Sequence, residues 1–215
     1  VWNLTLDVSR TDPRIVIRST KNGISRTTDA GVTWQRMAVP PSNNFTSISI
    51  NQMDHCDVLA LRSGELFRTK DCGELWEVGN SIAGSRIGFH TRNTGNGNQI
   101  LCKSKNTFLY SDDGGTNWVD QGSSSEGLYC LVSATDVPMS YFMVNYRGLH
   151  VTTDAGSSWN LKQASLSTAR ALANSLQKAN ELFAISSLGS LYRISTDRYS
   201  VDTLFENNRE QEYYP

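Results

Sequence analysis

Thr27-Thr28-Asp29-Ala30-Gly31-Val32-Thr33-Trp34 is an eight-residue string that the chain writes four times. It returns as Thr69-Lys70-Asp71-Cys72-Gly73-Glu74-Leu75-Trp76, as Ser111-Asp112-Asp113-Gly114-Gly115-Thr116-Asn117-Trp118 and as Thr152-Thr153-Asp154-Ala155-Gly156-Ser157-Ser158-Trp159. The shared pattern is [S/T]-x-D-x-G-x-x-W, and its tryptophans stand 42, 42 and 41 residues apart. Self-similarity at constant phase marks a repeat architecture, one supersecondary unit per period. Within each copy the Asp carboxylate can accept the backbone N–H groups of a tight hairpin, and the Gly two residues on takes a positive φ at no steric cost. The Trp is expected to open the next strand and to cover the turn with its apolar face.

Working outward, period-2 alternation divides every unit into four short strands. In the second unit these are residues 46–50, 58–61, 65–68 and 75–78; the third (87–90, 100–102, 108–110, 117–119) and fourth (129–132, 141–144, 149–152, 158–161) follow suit. The first begins with Leu4-Thr5-Leu6-Asp7-Val8 and the fifth with Arg170-Ala171-Leu172-Ala173, although a helical period also fits Ala169 to Lys178. Five four-stranded units predict an all-β, five-bladed β-propeller of antiparallel blades, one domain over 1–206. The blades fall at about 1–41, 42–83, 84–124, 125–166 and 167–206, and a polar tail covers 207–215.

The motif resembles the Asp-box (bacterial neuraminidase repeat) family, which includes sialidases, xyloglucan hydrolases, sortilin-type receptors and photosystem assembly factors. A fifth, degenerate copy matches through Ser195 and Asp197, with Tyr199 in place of the Gly and no Trp. The resemblance implies a structural role for Asp29, Gly31, Trp34, Asp71, Gly73, Trp76, Asp113, Gly115, Trp118, Asp154, Gly156 and Trp159. It does not extend to sialidase chemistry. The nearest string to the Arg-Ile-Pro element of those enzymes is Pro13-Arg14-Ile15-Val16, and the turns opposite the boxes hold almost none of the acids that a pair of facing carboxylates for glycoside hydrolysis would require, Glu126 being the main one. The chain is thus placed with the non-enzymatic branch, resembling photosystem assembly factor and sortilin-like propellers.

Composition narrows the partners. With 20 Lys+Arg against 21 Asp+Glu the formal net charge is −1, so the total names no polyanion or polycation as ligand. No apolar run is long enough for a helical membrane span. Four Cys without a CxxC, and His55, His90 and His150 in separate units, predict no metal and no cofactor. Cys56 and Cys72 fall on the same face of the second blade, where a disulfide and two half-buried thiols are both open; Cys102 and Cys130 read as core. Asn3-Leu4-Thr5 and Asn44-Phe45-Thr46 fit the glycosylation acceptor and slightly favour an extracellular, cell-surface or virion-associated setting.

Sorting charges by propeller face separates them. Turns between second and third strands carry Lys21, Arg62, Lys103, Lys105 and Arg147, and inter-blade links add Arg86 and Arg170. The opposite face collects Asp12, Asp54, Asp57, Asp71, Asp112, Asp113, Asp136, Asp154 and Asp197. The expected function is a non-catalytic binding or assembly module, a scaffold or subunit of a larger complex, whose basic face docks a protein partner or an acidic glycan. A carbohydrate-binding, lectin-like propeller is the alternative, a degenerate glycoside hydrolase the next. Nucleic acid is a poor fit, because no aromatic and basic residues interleave.

Overall fold

The computed structural model describes residues 5–20, 22–38, 45–51, 53–62, 64–79, 98–104, 107–123, 127–134, 137–175 and 177–207, and the backbone of 87–92. Five four-stranded antiparallel sheets follow one another along the chain as the blades of a β-propeller. The first holds β1 (Leu6–Val8), β2 (Val16–Thr20), β3 (Gly23–Thr27) and β4 (Gln35–Arg36). The second holds β5 (Ser47–Asn51), β6 (Asp54–Arg62), β7 (Glu65–Thr69) and β8 (Glu77–Val78). β9 (Ile87–Arg92), β10 (Ile100–Ser104), β11 (Thr107–Ser111) and β12 (Val119–Ser123) make the third. β13 (Cys130–Ser133), β14 (Tyr141–Asn145), β15 (Gly148–Thr152) and β16 (Asn160–Gln163) make the fourth. The fifth is β17 (Ala169–Asn174), β18 (Glu181–Ser186), β19 (Leu191–Ser195) and β20 (Val201–Phe205). Residues 169–174 are therefore strand, not helix: Leu172 pairs with Ala184 and buries itself against the fourth blade, and sheet packing overrides the local helical period.

Successive side chains of a strand face opposite neighbours, so a central blade needs apolar residues on both faces. β6 shows the rule. Val58 and Ala60 point back and pack with Ile17 and Ile24, while Leu59 and Leu61 point forward and pack with Ile100 and Cys102. Leu101, Phe108 and Tyr110 then meet Leu131, Tyr141 and Met143, and Phe142, Val144 and Val151 meet Leu182, Ala184 and Ile194. The innermost strands β1, β5, β9, β13 and β17 lie side by side in that order. Among the described residues no further core joins the fifth blade to the first. The forward face of the fifth leaves Ile185 44% and Phe205 59% exposed, and the back face of the first leaves Leu6 62% exposed.

Candidate functional site

All four boxes close in the same way. The hydroxyl of Thr27, Thr69, Ser111 or Thr152 donates to its Asp at 2.6–2.9 Å and accepts the N–H of the box Gly at 2.8–2.9 Å. The same carboxylates, of Asp29, Asp71, Asp113 and Asp154, accept the backbone N–H four residues on, at 2.8–3.0 Å. Hydrogen bonds to the charged form lower a carboxyl pKa. The Thr27 and Thr33 hydroxyls hold Asp29 at about 2, and the Asn117 backbone N–H heads the donors that hold Asp113 at about 2. Asp71 is lowered chiefly by the Leu75 N–H; at Asp154 burial pushes upward, and the Ser158 and Thr152 bonds outweigh it.

Two features of the boxes differ from expectation. The strand begins one residue after each Trp, at Gln35, Glu77, Val119 and Asn160; Trp34 and Trp118 donate Nε1–H back to the carbonyls of Gly31 and Gly115, while Nε1 of Trp76 and Trp159 is buried with no partner among the described residues. The residue before each box Gly is also left-handed, with φ of 58° at Ala30, 64° at Cys72, 77° at Gly114 and 57° at Ala155. In the fifth blade Ser195 ends β19 as Thr27, Thr69, Ser111 and Thr152 end their strands, and Tyr199, in the place of the box Gly, keeps a left-handed backbone with φ of 53°.

The basic-face residues divide. Lys21, Arg86 and Lys105 lie outside the described residues, as do Asn3, Asn44, Asp136 and the tail beyond Asn207. Arg62 is half-buried and ion-paired with Glu65 across its own turn. Lys103 is buried, with Nζ 4.4 Å from the centre of the Phe108 ring. Arg147 and Arg170 are exposed. The Arg170 guanidinium lies 4.1 Å over the Tyr129 ring, the Tyr129 N–H donates to Val144 at the end of β14, and Arg147 follows in the next turn beside Tyr146. Two cations and two aromatic rings thus gather on one rim of the fourth and fifth blades.

On the opposite face Asp57 is no surface charge. It is 4% exposed and takes both Nε and Nη2 of Arg68, at 2.9 and 3.0 Å, while Asn51 donates to it at 2.9 Å. Sequence reasoning missed this strut; its signal is the apolar-flanked Asp57-Val58 at the start of the buried part of β6. Cys56 and Cys72 form a disulfide, and His55 lies with their sulfurs in one cluster; Cys102 is buried and Cys130 half-buried, both as thiols. His150 is buried, its Nδ1 3.3 Å from the Gly148 carbonyl.

The family described as photosynthesis system II assembly factor YCF48 matches residues 24–210. No curated protein matches the sequence significantly. Among solved structures, a GH74 enzyme of Niastella koreensis superposes with a TM-score of 0.69 at 17% identity, over 94% of this chain and 31% of that one. YCF48 from Cyanidioschyzon merolae gives 0.63 at 17% identity, over 93% and 71%. YCF48 bound to a D1 peptide gives 0.63 at 16%, over 93% and 66%. The chain spans about a third of the GH74 enzyme and about two thirds of the YCF48 proteins; at these identities the likeness is one of fold.

Proposed function

This chain belongs to the YCF48 family of photosystem II assembly factors, and on that premise we propose that it is a non-catalytic assembly module that docks an acidic segment of a protein partner. The observation that carries the reading is the rim where Arg147 and Arg170 stand exposed among Tyr129 and Tyr146. Arginine forks recognise carboxylates through paired hydrogen bonds, and aromatic rings add area at low entropic cost. One relative with this fold is a YCF48 with a bound D1 peptide, which supports a peptide rather than a sugar as occupant. The assembly-factor family supports a role alongside a larger complex, and no described helix is long and apolar enough to cross a membrane.

The test is fluorescence anisotropy with a labelled acidic peptide ending in a free carboxylate, titrated at rising KCl. Binding is expected to weaken with salt, since exposed charges are screened over about 8 Å at physiological ionic strength. It should also be lost in the Arg147→Glu, Arg170→Glu double variant. Salt-insensitive binding of a neutral glycan, unaffected by those substitutions, would replace this reading with the lectin one.

A further inference from the structure

The residue just before each box faces the following blade, and in the first two blades it is an arginine: Arg26 and Arg68. Arg68 sits in a closed network. Besides its two bonds to Asp57, it reaches the third blade, with Nη2 3.4 Å from Asn98 Oδ1 and Nη1 3.5 Å from the Gly114 carbonyl. Arg26 holds the same place between the first and second blades, but the partners have changed. Val16 pairs with Thr27 as Val58 pairs with Thr69, so the position of Asp57 is taken by Ile15, which is 5% exposed. On the facing blade the bond from Gly114 N to Asn98 O is matched by one from Cys72 N to Cys56 O, so two cysteines stand where Arg68 finds Gly114 and Asn98.

Arg26 has kept the charge and lost the acid. Its Nε is buried with no hydrogen-bond partner among the described residues, and burial pulls its pKa down, though a guanidinium stays charged at any working pH. The guanidinium lines a cleft of about 380 Å³ with Thr28, Thr33, Gln35, Cys72 and Glu74. A half-desolvated cation with an idle donor is costly to leave unpaired.

We propose that this cleft, between the first and second box hairpins, binds a carboxylate, which pairs with the Arg26 guanidinium from the cleft side as Asp57 pairs with that of Arg68 from within its blade. The site lies on the face away from Arg147 and Arg170 and stands independently of the docking reading above. Its ligand is a carboxylate carried either by a small organic acid or by an acidic residue or C-terminus of a peptide.

Arg68 supplies an internal control, because its donors are already satisfied. In ¹⁵N-labelled full-length protein, the Arg26 Nε–Hε resonance is followed against added sodium succinate, against NaCl at equal ionic strength, and against a short peptide with a free or an amidated C-terminus. The expected result is a saturable shift at Arg26, none at Arg68, and none with NaCl. Either carboxylate source giving that shift supports the site, and comparing succinate with the peptides tells which source fits. Arg26→Gln should weaken succinate binding about tenfold or more, and Ile15→Asp should block it by providing the acid internally, while Arg147→Glu leaves it unchanged. An Arg26 resonance that responds no differently to succinate than to NaCl, or that moves in step with Arg68, overturns the proposal without need of any variant.

Discussion

Truncating Leu61 and Ile185 to alanine should have very different costs, although both sit on the forward face of the second strand of their blade. Leu61 is 0% exposed and locked between the second and third blades with Leu66, Ile100 and Leu109. Removing its branched end opens a cavity in a core that cannot fully collapse, which costs about 2–5 kcal/mol. Ile185 is 44% exposed. Full burial of such a side chain is worth about 1.5–3 kcal/mol, and with nearly half of it already in water and no core cluster around it among the described residues, Ile185→Ala should cost about 1 kcal/mol or less. Urea unfolding followed by tryptophan fluorescence reads both. Because a row of blades can unravel from one end, the slopes must match the parent's before midpoints are compared. Equal costs for the two variants would refute the reasoning, since they would mean that in solution the forward face of the fifth blade is covered.

Three further outcomes follow from the same contacts. Arg68→Met should destabilise by about 3–5 kcal/mol because it strands the buried Asp57 charge; with Asp57→Leu added most of that loss should return, and additive costs in this double-mutant cycle would rule out a coupled pair. The box carboxylates have folded-state pKa values below the ordinary range, about 2 at Asp29 and Asp113, so their contribution is present above pH of about 4 and is lost as pH falls toward 2. The urea midpoint should drop over that window, and less so in Asp29→Asn; a midpoint flat from pH 5 to pH 2 would contradict it. Alkylation of the unreduced, unfolded protein should modify Cys102 and Cys130 alone, and reducing the Cys56–Cys72 bond, with a sequence separation of 16, should lower stability by up to about 3 kcal/mol. Mass spectrometry showing four modified thiols would remove the cross-link.

The repeat and the four-stranded blade were legible because both are written in local pattern: turn residues at fixed offsets and alternation between them. What local pattern could not show is which partner a side chain meets across a blade junction. Lys103 reads as a turn cation, yet its strand position points it between blades, where its stem packs and its charge finds the Phe108 ring. Asp57 reads as an acid on the surface and is the buried anchor of Arg68, whose guanidinium reaches on to the third blade. Alternation starts each fourth strand at or before the Trp, whereas in all four boxes the pairing begins one residue after it. The degenerate fifth box was legible as well: Tyr199 stands where the other boxes have Gly and keeps the left-handed backbone that the Gly supplies there.

The box glycines carry a second meaning that the hairpin alone does not require. A Cβ at Gly73 would lie 2.2 Å from Met37 Cε of the preceding blade, and one at Gly115 would lie 2.4 Å from Leu66 Cδ2. At Gly156 the nearest atom is Leu101 Cδ1, at 3.1 Å, again one blade back. These three boxes therefore also serve as the flat surfaces onto which the previous blade leans. Gly31 has the same left-handed backbone, φ 93°, but a Cβ there would meet only its own Trp34, at 3.8 Å. Alanine at Gly31 thus carries backbone strain alone, whereas alanine at Gly73 carries the same strain plus a clash at a junction. The difference between the two variants measures the blade-to-blade contact by itself, and it should amount to about 1–3 kcal/mol. Its sign follows from the open back face of the first blade: a Gly31→Ala variant as costly as Gly73→Ala would mean that something leans on the first box as well.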